Sequence, residues 1–406
     1  MLTDDLILSK INAYLEDFPF NRKPQSLYEP IRYVLSIGGK RIRPTLALLA
    51  YNLFKDDPES ILAPACGLET YHNYTLLHDD LMDNAALRRG KPTVHKRWDA
   101  NTAILSGDSM LVLAYQLVAQ CDAAKLKPVM ELFTETALEI GEGQQYDMDF
   151  EHRNDVTEDE YIEMIRLKTS VLLACAMKMG ALLADAPQRD ADLLYKFGEQ
   201  IGLAFQLQDD FLDVYGDSKV FGKAIGGDIV SNKKTYMLIN AFNKADAAQR
   251  AELQHWVGQE QCDAQEKIAA ITQLYNAMGI DKMAERRIEH YFECGKRYLD
   301  EVISGQLVDD RPTWFGYHRG EPAEVLLNEY EHTTDHKTQT DCLEGVYHKK
   351  PPLAPALLDK IEKLIALDND DRDFLIEILS QSSYERAKPY LQDLVTKDPK
   401  KVFQFV

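Results

Sequence analysis

From the first residues to about residue 304, apolar side chains recur at positions i, i+3, i+4 and i+7, which is the spacing of one face of an α-helix. The segments AAKLKPVMELFTETALEI and YIEMIRLKTSVLLACAMKMGALLA follow this pattern, and the alternating apolar and polar residues that indicate strands are few. Residues 164–184 are apolar almost all round, which is typical of a helix at the centre of a large bundle. The sequence therefore predicts an all-α fold for this region.

The chain changes character after this region. Residues 305–352 are polar and contain several prolines and four of the ten histidines, which indicates a long insertion or linker. Helical periodicity then returns from Leu357 onward. We therefore predict a helical core over 1–304, a polar insertion or linker of unknown role over 305–352, and C-terminal helices over 353–406.

Charge and composition exclude several classes of partner. The 406-residue chain carries 66 acidic and 46 basic residues, a formal net charge of −20, so we predict no nucleic-acid partner. No apolar run approaches the length of a membrane span, and the N-terminus lacks the basic region of a signal peptide. The six cysteines are scattered without a C-x-x-C pair, which indicates reduced thiols. The sequence predicts a cytoplasmic protein that needs a local basic patch to bind a small anion.

Two acidic strings with the same spacing, D-D-x-x-D, lie in apolar surroundings, in LLHDDLMDN and in FQLQDDFLDVYGD. A single such string is more often a solvated helix face, but two copies in apolar contexts favour a functional role. Gathered carboxylates are stabilised most simply by a hard divalent cation such as Mg²⁺. A transition metal would favour histidine or thiolate ligands, and nothing comparable to His78 accompanies the second string. The acids are Asp79, Asp80 and Asp83, and Asp209, Asp210 and Asp213.

Basic residues accompany the acidic strings in compact groups. GGKRIRP precedes the first string, LRRGKP and LKTS follow it, and FGKAIGGDIVSNKKT follows the second. Glycines ahead of a helix that begins near Pro44 would let an anion approach the backbone and the helix N-terminus. An ordinary basic turn explains GGKRIRP equally well, and Lys168 can also reach the surface by snorkelling. The basic residues are Lys40, Arg41, Arg43, Arg88, Arg89, Lys168, Lys223 and Lys233.

Taken in order, GGKRIRP, LLHDDLMD, LRRGKP, GQQYDMD, LKTS, FQLQDDFLD and FGKAIGGDIVSNKKT resemble the motifs of the trans-isoprenyl diphosphate synthases. The resemblance covers residues 1 to about 304. It implies the all-α isoprenoid-synthase bundle, with helices around a deep central cavity, normally as a homodimer. It also implies a prenyltransferase that joins isopentenyl diphosphate to an allylic diphosphate (dimethylallyl, geranyl or farnesyl).

The same resemblance assigns the site residues. Both acidic strings would hold Mg²⁺ ions that bridge the allylic diphosphate from two sides. Around that diphosphate it places Arg88, Lys168, Thr169, Gln206, Lys223 and Lys233. Around the diphosphate of isopentenyl diphosphate it places Lys40, Arg43, His72 and Arg89, and Gln144 completes the polar wall. The residues expected to act in catalysis are Asp79, Asp80, Asp83, Arg88, Lys168, Asp209, Asp210 and Lys223. A lone histidine such as His72 can also be an ordinary core residue.

Product length depends on the floor of the cavity. Tyr74 and Thr75 lie five and four residues before Asp79, about 7.5 and 6 Å along a helix axis. A tyrosine at that depth favours a short product, farnesyl (C15) or geranylgeranyl (C20) diphosphate. The alternative is that Tyr74 packs against a neighbouring helix and the floor lies elsewhere.

Three other interpretations are open. A class I terpene cyclase shares the fold and the first acidic string, but its second metal site normally has another pattern. A non-catalytic partner subunit would be expected to have lost one of the charged sets, and both are present. His332, His336 and Cys342 resemble metal ligands, although their polar stretch favours a solvated surface.

Overall fold

The computed structural model describes residues 4–17, 22–216, 225–259, 262–308 and 355–366, together with isolated positions between 327 and 390. The chain divides into two compact units, Met1–Val302 and Ile303–Val406. Most of 305–352, with His332, His336 and Cys342, lies outside the described residues. The predicted three-part division therefore stays a prediction.

Helices form the first half of the chain. In order they are α1 (Asp4–Asp17), α2 (Gln25–Ser36), α3 (Ile42–Asn52), a 3₁₀ turn (Pro58–Ile61), α4 (Leu62–Met82), α5 (Val94–Arg97), α6 (Ala100–Val118) and α7 (Leu126–Glu151). Across the described chain, several helices start at a polar side chain of the kind that caps a helix N-terminus. Before α6, for example, the Asp99 side chain accepts a hydrogen bond from the backbone nitrogen of Thr102 at 2.8 Å.

Helices also form the second half. In order they are α8 (Glu158–Ile165), a π-helical turn (Arg166–Ser170), α9 (Val171–Leu183), α10 (Gln188–Tyr215), α11 (Gly227–Val230), α12 (Tyr236–Lys244), α13 (Ala247–Val257), α14 (Ala264–Met278), α15 (Ile280–Val308) and α16 (Pro355–Ile365). The predicted all-α fold is confirmed.

A short hairpin is one element that helical periodicity did not predict. Strand β1 (Leu87–Arg88) pairs antiparallel with β2 (Lys91–Pro92). The two residues between them, Arg89 and Gly90, have positive φ angles of 52° and 75°. A two-residue hairpin turn with positive φ at both positions matches the twist of its strands. The hairpin holds the basic LRRGKP motif beside the end of α4.

The core centres on α9, where every residue except Lys178 and Leu182 is buried. Glycines let neighbouring helices approach it closely. A side chain at Gly180 would lie 2.2 Å from the carbonyl oxygen of Ala47 in α3, and one at Gly198 of α10 would lie 2.7 Å from the α9 backbone. The predicted central helix is therefore confirmed, although a π-helical turn interrupts 164–184 near its start.

In the unit Ile303–Val406, the described residues include an apolar cluster of their own. Arg386 donates hydrogen bonds to the carboxylate of Glu362 in α16 at 3.0 and 2.6 Å. The buried residues of α16 are Leu358, Ile361, Leu364 and Ile365. α16 is thus a helix with one buried apolar face.

Within the described residues, no helix is both long enough and apolar enough to cross a bilayer.

Candidate active site

The first acidic string lies at the end of α4. Asp79 and Asp80 belong to the last helical turn, and Asp83 is the residue that caps it. Asp80 is buried and accepts two hydrogen bonds from Arg88, from Nε at 3.0 Å and from Nη2 at 2.6 Å. Burial nevertheless raises the pKa of Asp80, since its effect exceeds that of the arginine. The hairpin thus supplies a counter-charge to the acidic string.

Asp79 is only partly accessible. Burial raises the pKa of its carboxyl, the cation of Lys168 opposes that rise, and Asp83 adds to it. A second positive charge at this position would therefore stabilise the ionised carboxylate.

The second acidic string lies on α10, which ends at Tyr215. Asp210 is buried, and its carboxylate accepts a hydrogen bond from the hydroxyl of Tyr161. Burial raises the pKa of Asp210 to about 7. Asp213 accepts a hydrogen bond from the backbone nitrogen of Asp228 at 3.0 Å, which joins α10 to α11. Asp209 is half-buried on the same helix.

Carboxylates of both acidic strings act electrostatically on Lys233. Its side chain is exposed to solvent. Desolvation tends to lower its pKa, but the carboxylates of Asp228, Asp147, Asp210 and Asp83 together raise it above the usual value. Acids from α4, α7, α10 and α11 therefore act on one ammonium group.

A π-helical turn presents Lys168 and Thr169. Such turns occur often at functional sites because they redirect side chains within a helix. Lys168 donates to Asp147 at 2.6 Å, and Thr169 donates to Gln206 at 3.1 Å. Gly143 makes the approach of α7 possible, since a side chain there would lie 2.4 Å from the backbone nitrogen of Lys168. Gln144 is partly buried on α7, three residues before Asp147.

The GGKRIRP turn lies between α2 and α3. Arg41 caps α3 in the left-handed conformation, with φ of 50°, and Lys40 beside it is exposed. A side chain at Gly39 would lie 2.8 Å from the Nη1 atom of Arg89. The absence of a side chain at Gly39 therefore leaves room for the Arg89 guanidinium beside this turn. The two basic motifs meet here.

His72 and Arg43 share this basic region. Burial, followed by the charges of Arg43 and Arg89, lowers the pKa of His72 well below 6.5, so the imidazole is neutral at pH 7. Burial also lowers the pKa of Arg43 to about 10. The Nε atom of Arg43 is buried without a hydrogen-bond partner in the described part of the chain. Such an orphaned donor among cations favours an anionic ligand.

Tyr74 lies in an aromatic cluster below Asp79. Its ring centroid is 5.4 Å from that of Tyr71 and 4.9 Å from that of His78. The Tyr71 ring in turn lies 5.3 Å from that of Phe133 on α7. The hydroxyl of Thr75 donates to the backbone oxygen of His72 at 2.8 Å.

No three His, Cys, Asp or Glu side chains in the described part of the chain converge closely enough to hold a metal ion by themselves. Mg²⁺ usually binds through one or two carboxylates and completes its octahedral shell with water and substrate phosphates. The donor set therefore fits that ion better than a metal held entirely by protein ligands.

Comparison with known proteins decides the family. The family model described as polyprenyl synthetase matches residues 24–278. The chain belongs to the polyprenyl synthetase family. A geranylgeranyl diphosphate synthase of Methanosarcina mazei is 38% identical over 294 residues, which is 72% of this chain and 89% of the relative. A short chain isoprenyl diphosphate synthase of Methanocaldococcus jannaschii is 40% identical over 272 residues, 67% of this chain and 82% of the relative.

A solved structure supports the same family and fold. A crystal structure of a geranylgeranyl pyrophosphate synthase superposes with a TM-score of 0.72 at 40% sequence identity, and it covers 74% of this chain and 93% of that chain. The predicted isoprenoid-synthase fold is confirmed. Membership of the polyprenyl synthetase family also confirms the predicted class of enzyme, a short-chain trans-prenyltransferase.

Sequence reasoning missed several residues of this polyprenyl synthetase site. Asp147 follows Gln144 by three residues, a spacing that places both on one helix face and would have indicated its role. Tyr161 carried no such signal, because it lies within an ordinary amphipathic helix. Lys223 lies outside the described residues. The individual assignments of the other predicted residues stay predictions.

Proposed function

We propose that the protein condenses isopentenyl diphosphate head-to-tail with an allylic diphosphate and releases pyrophosphate. The product is a short all-trans prenyl diphosphate, C15 or C20, and the allylic substrate is dimethylallyl, geranyl or farnesyl diphosphate. Family membership and the names of the M. mazei and M. jannaschii relatives support this choice.

The convergence of carboxylates on Lys233 is the observation that carries this proposal. Asp83 comes from the first acidic string and Asp210 from the second, yet both act on the same ammonium group. Two acidic strings that share one cation support a single reaction centre between α4 and α10. An exposed pair of unrelated acidic helix faces would have no such common neighbour.

We propose that Mg²⁺ ions bind between the strings. Their oxygen donors are those that a hard divalent cation prefers. The raised pKa values of Asp79 and Asp210 support this, because an added positive charge lowers the pKa of a neighbouring carboxyl. Bound Mg²⁺ would supply the charge that neutralises a departing diphosphate. The ligands would be drawn from Asp79, Asp80, Asp83, Asp209, Asp210 and Asp213.

The first chemical step breaks the allylic C–O bond. Arg88, Lys168 and Lys233 would bind the departing diphosphate, since fixed cations stabilise the charge that develops on it. In the present structure Arg88 pairs with Asp80 and Lys168 with Asp147. We propose that both cations turn from these carboxylates to the diphosphate when substrate and Mg²⁺ enter.

The second step forms the new C–C bond. Lys40, Arg43, His72 and Arg89 would hold isopentenyl diphosphate with its double bond beside the allylic carbocation, so that proximity drives the attack. The proton then lost from the isopentenyl unit goes to the released diphosphate. The polar wall would be completed by Thr169, Gln206 and Gln144.

Radiolabelled isopentenyl diphosphate tests the proposal. Purified protein with Mg²⁺ is incubated with each allylic substrate, and the products are sized by chromatography. We expect labelled C15 or C20 product. Consumption of farnesyl diphosphate alone, without isopentenyl diphosphate, would instead indicate a terpene cyclase, and the absence of any transfer would refute the proposal.

We propose that the protein is a homodimer through α6. Leu105 and Val112 lie two turns apart on this helix and are 60% and 63% exposed, which is unfavourable for large apolar side chains in water. A second copy of the chain would cover them. Light scattering should give twice the mass of 46.3 kDa, and a Leu105→Glu/Val112→Glu variant should give the single mass. A wild-type monomer at micromolar concentration would contradict the proposal.

A further inference from the structure

Arg41 differs from its neighbours in the GGKRIRP turn, because its charge is turned into the protein. Its side chain is 3% exposed, whereas Lys40 is exposed. The guanidinium donates to Glu69 Oε1 at 2.7 Å, to the backbone oxygen of Leu35 at 2.7 Å and to Asn12 Oδ1 at 3.1 Å. These bonds occupy the planar fork of donors that makes arginine suited to buried ion pairs. Arg41 is therefore unavailable to a substrate.

Its partner, Glu69, is a carboxylate inside a basic cluster. Glu69 is 2% exposed and lies on α4, ten residues before Asp79. Asn73 fixes the same oxygen that Arg41 binds, by donating to it at 3.0 Å. Glu69 also acts electrostatically on Arg43 and Arg89. An acid at this position competes with any anionic ligand for those two arginines.

Arg43 offers the competing acid a place to bind. Its Nε atom is a buried donor with no hydrogen-bond partner among the described residues. A buried carboxylate that loses its cation partner is strongly destabilised, so the buried donor of Arg43 would become an alternative partner for Glu69. Whatever holds Glu69 in place therefore decides whether Arg43 is open to a ligand.

We propose that Arg41 is a positioning residue that holds the Glu69 carboxylate away from Arg43 and Arg89 and so keeps both arginines open for a substrate diphosphate. The inference rests on the proposed function, which assigns Arg43 and Arg89 to isopentenyl diphosphate. It adds a role for a buried ion pair. The same pair joins the GGKRIRP turn to the helix that carries the first acidic string.

Steady-state kinetics of three variants test this role. Arg41→Gln should raise the KM for isopentenyl diphosphate by about tenfold to a hundredfold, the range of one charge-assisted hydrogen bond. The KM for the allylic substrate and kcat should each change by about threefold at most. In Arg41→Gln/Glu69→Gln the competing charge is gone, so the KM for isopentenyl diphosphate should return to within about threefold of wild type. Arg41→Lys keeps a cation beside Glu69 and should behave like the double variant.

A role in folding alone predicts a different result. The double variant would then be no better than Arg41→Gln, and both KM values would rise together, which overturns the proposal. If Arg41→Gln does not fold, the double variant decides: a KM for isopentenyl diphosphate near the wild-type value supports the role, and a value raised more than tenfold refutes it. Lack of prenyl transfer by the wild-type protein would instead refute the proposed function, so the two failures are distinguishable.

Discussion

Replacement of Tyr74 by alanine should lengthen the product by one isoprene unit. Tyr71 lies three residues earlier on α4, which is about 4.5 Å further along the helix axis. An isoprene unit adds four chain carbons, roughly 5 Å when extended at a C–C distance near 1.5 Å. Loss of the Tyr74 ring would therefore move the floor from Tyr74 to Tyr71, a recess of about one unit.

A second aromatic layer, formed by Tyr71, Phe133 and Tyr115, should act as the next floor of the cavity and stop the longer product there. Tyr71 is 3% exposed, and its ring packs edge-on against Phe133, which in turn contacts Tyr115 with ring centroids 4.9 Å apart. This layer draws on three helices and does not depend on Tyr74. We therefore expect a gain of five carbons from Tyr74→Ala rather than a broad ladder of longer products.

The assay is chromatography of the products formed from labelled isopentenyl diphosphate. Tyr74→Phe is the matched control, because it keeps the ring and should leave the product unchanged. An unchanged product distribution in Tyr74→Ala would remove Tyr74 from the floor. A ladder that extends by several units would show that Tyr71 and Phe133 do not form a second floor.

Two further predictions concern stability. Gly143→Ala should destabilise the fold by about 1–3 kcal/mol and lower kcat, because the alanine side chain would displace the turn that carries Lys168. Gly141→Ala is the control, since the space around Gly141 is open, and it should stabilise the fold by up to about 1 kcal/mol. Urea unfolding measures both changes. The folded-state pKa of His72 lies well below its unfolded value of 6.5, so the unfolded chain binds the proton first as the pH falls. Stability should then drop by up to about 1.4 kcal/mol between pH 7.5 and 5.5 through this group. In urea unfolding, the His72→Asn variant should lack this part of the pH-dependent loss of stability. An identical pH dependence of the unfolding free energy in the wild type and the variant would refute the prediction.

Much of the helical fold was predictable because periodicity is a local signal. Residues 164–184 predict a buried helix through their uniform apolarity, and α9 has it. The hairpin at Arg89 and Gly90 was not predictable from periodicity, since strands of two residues are too short to alternate. The π-helical turn also escaped prediction, because it depends on contacts with Gly143 and Gly202 from other helices.

The candidate site also contains residues that the sequence predicts and contacts that it does not. The acidic strings and the basic motifs are contiguous in sequence, so their residue types and order were enough to name them. The partners of these residues come from distant parts of the chain. Glu69 binds Arg41 across 28 positions and Tyr161 binds Asp210 across 49, and nothing in the local sequence of either marks the contact. Long-range pairs of this kind require the folded structure.

If the two acidic strings serve one reaction centre, as we propose, substitutions in the two strings should not act independently. A double-mutant cycle on kcat, with Asp79→Asn, Asp209→Asn and the double variant, measures this directly. We expect each single change to lower kcat by about a hundredfold or more, and the double variant to fall far short of the product of the two losses, because residues that act as a unit are not additive. Losses that multiply independently, or a wild-type kcat in either single variant, would contradict the account.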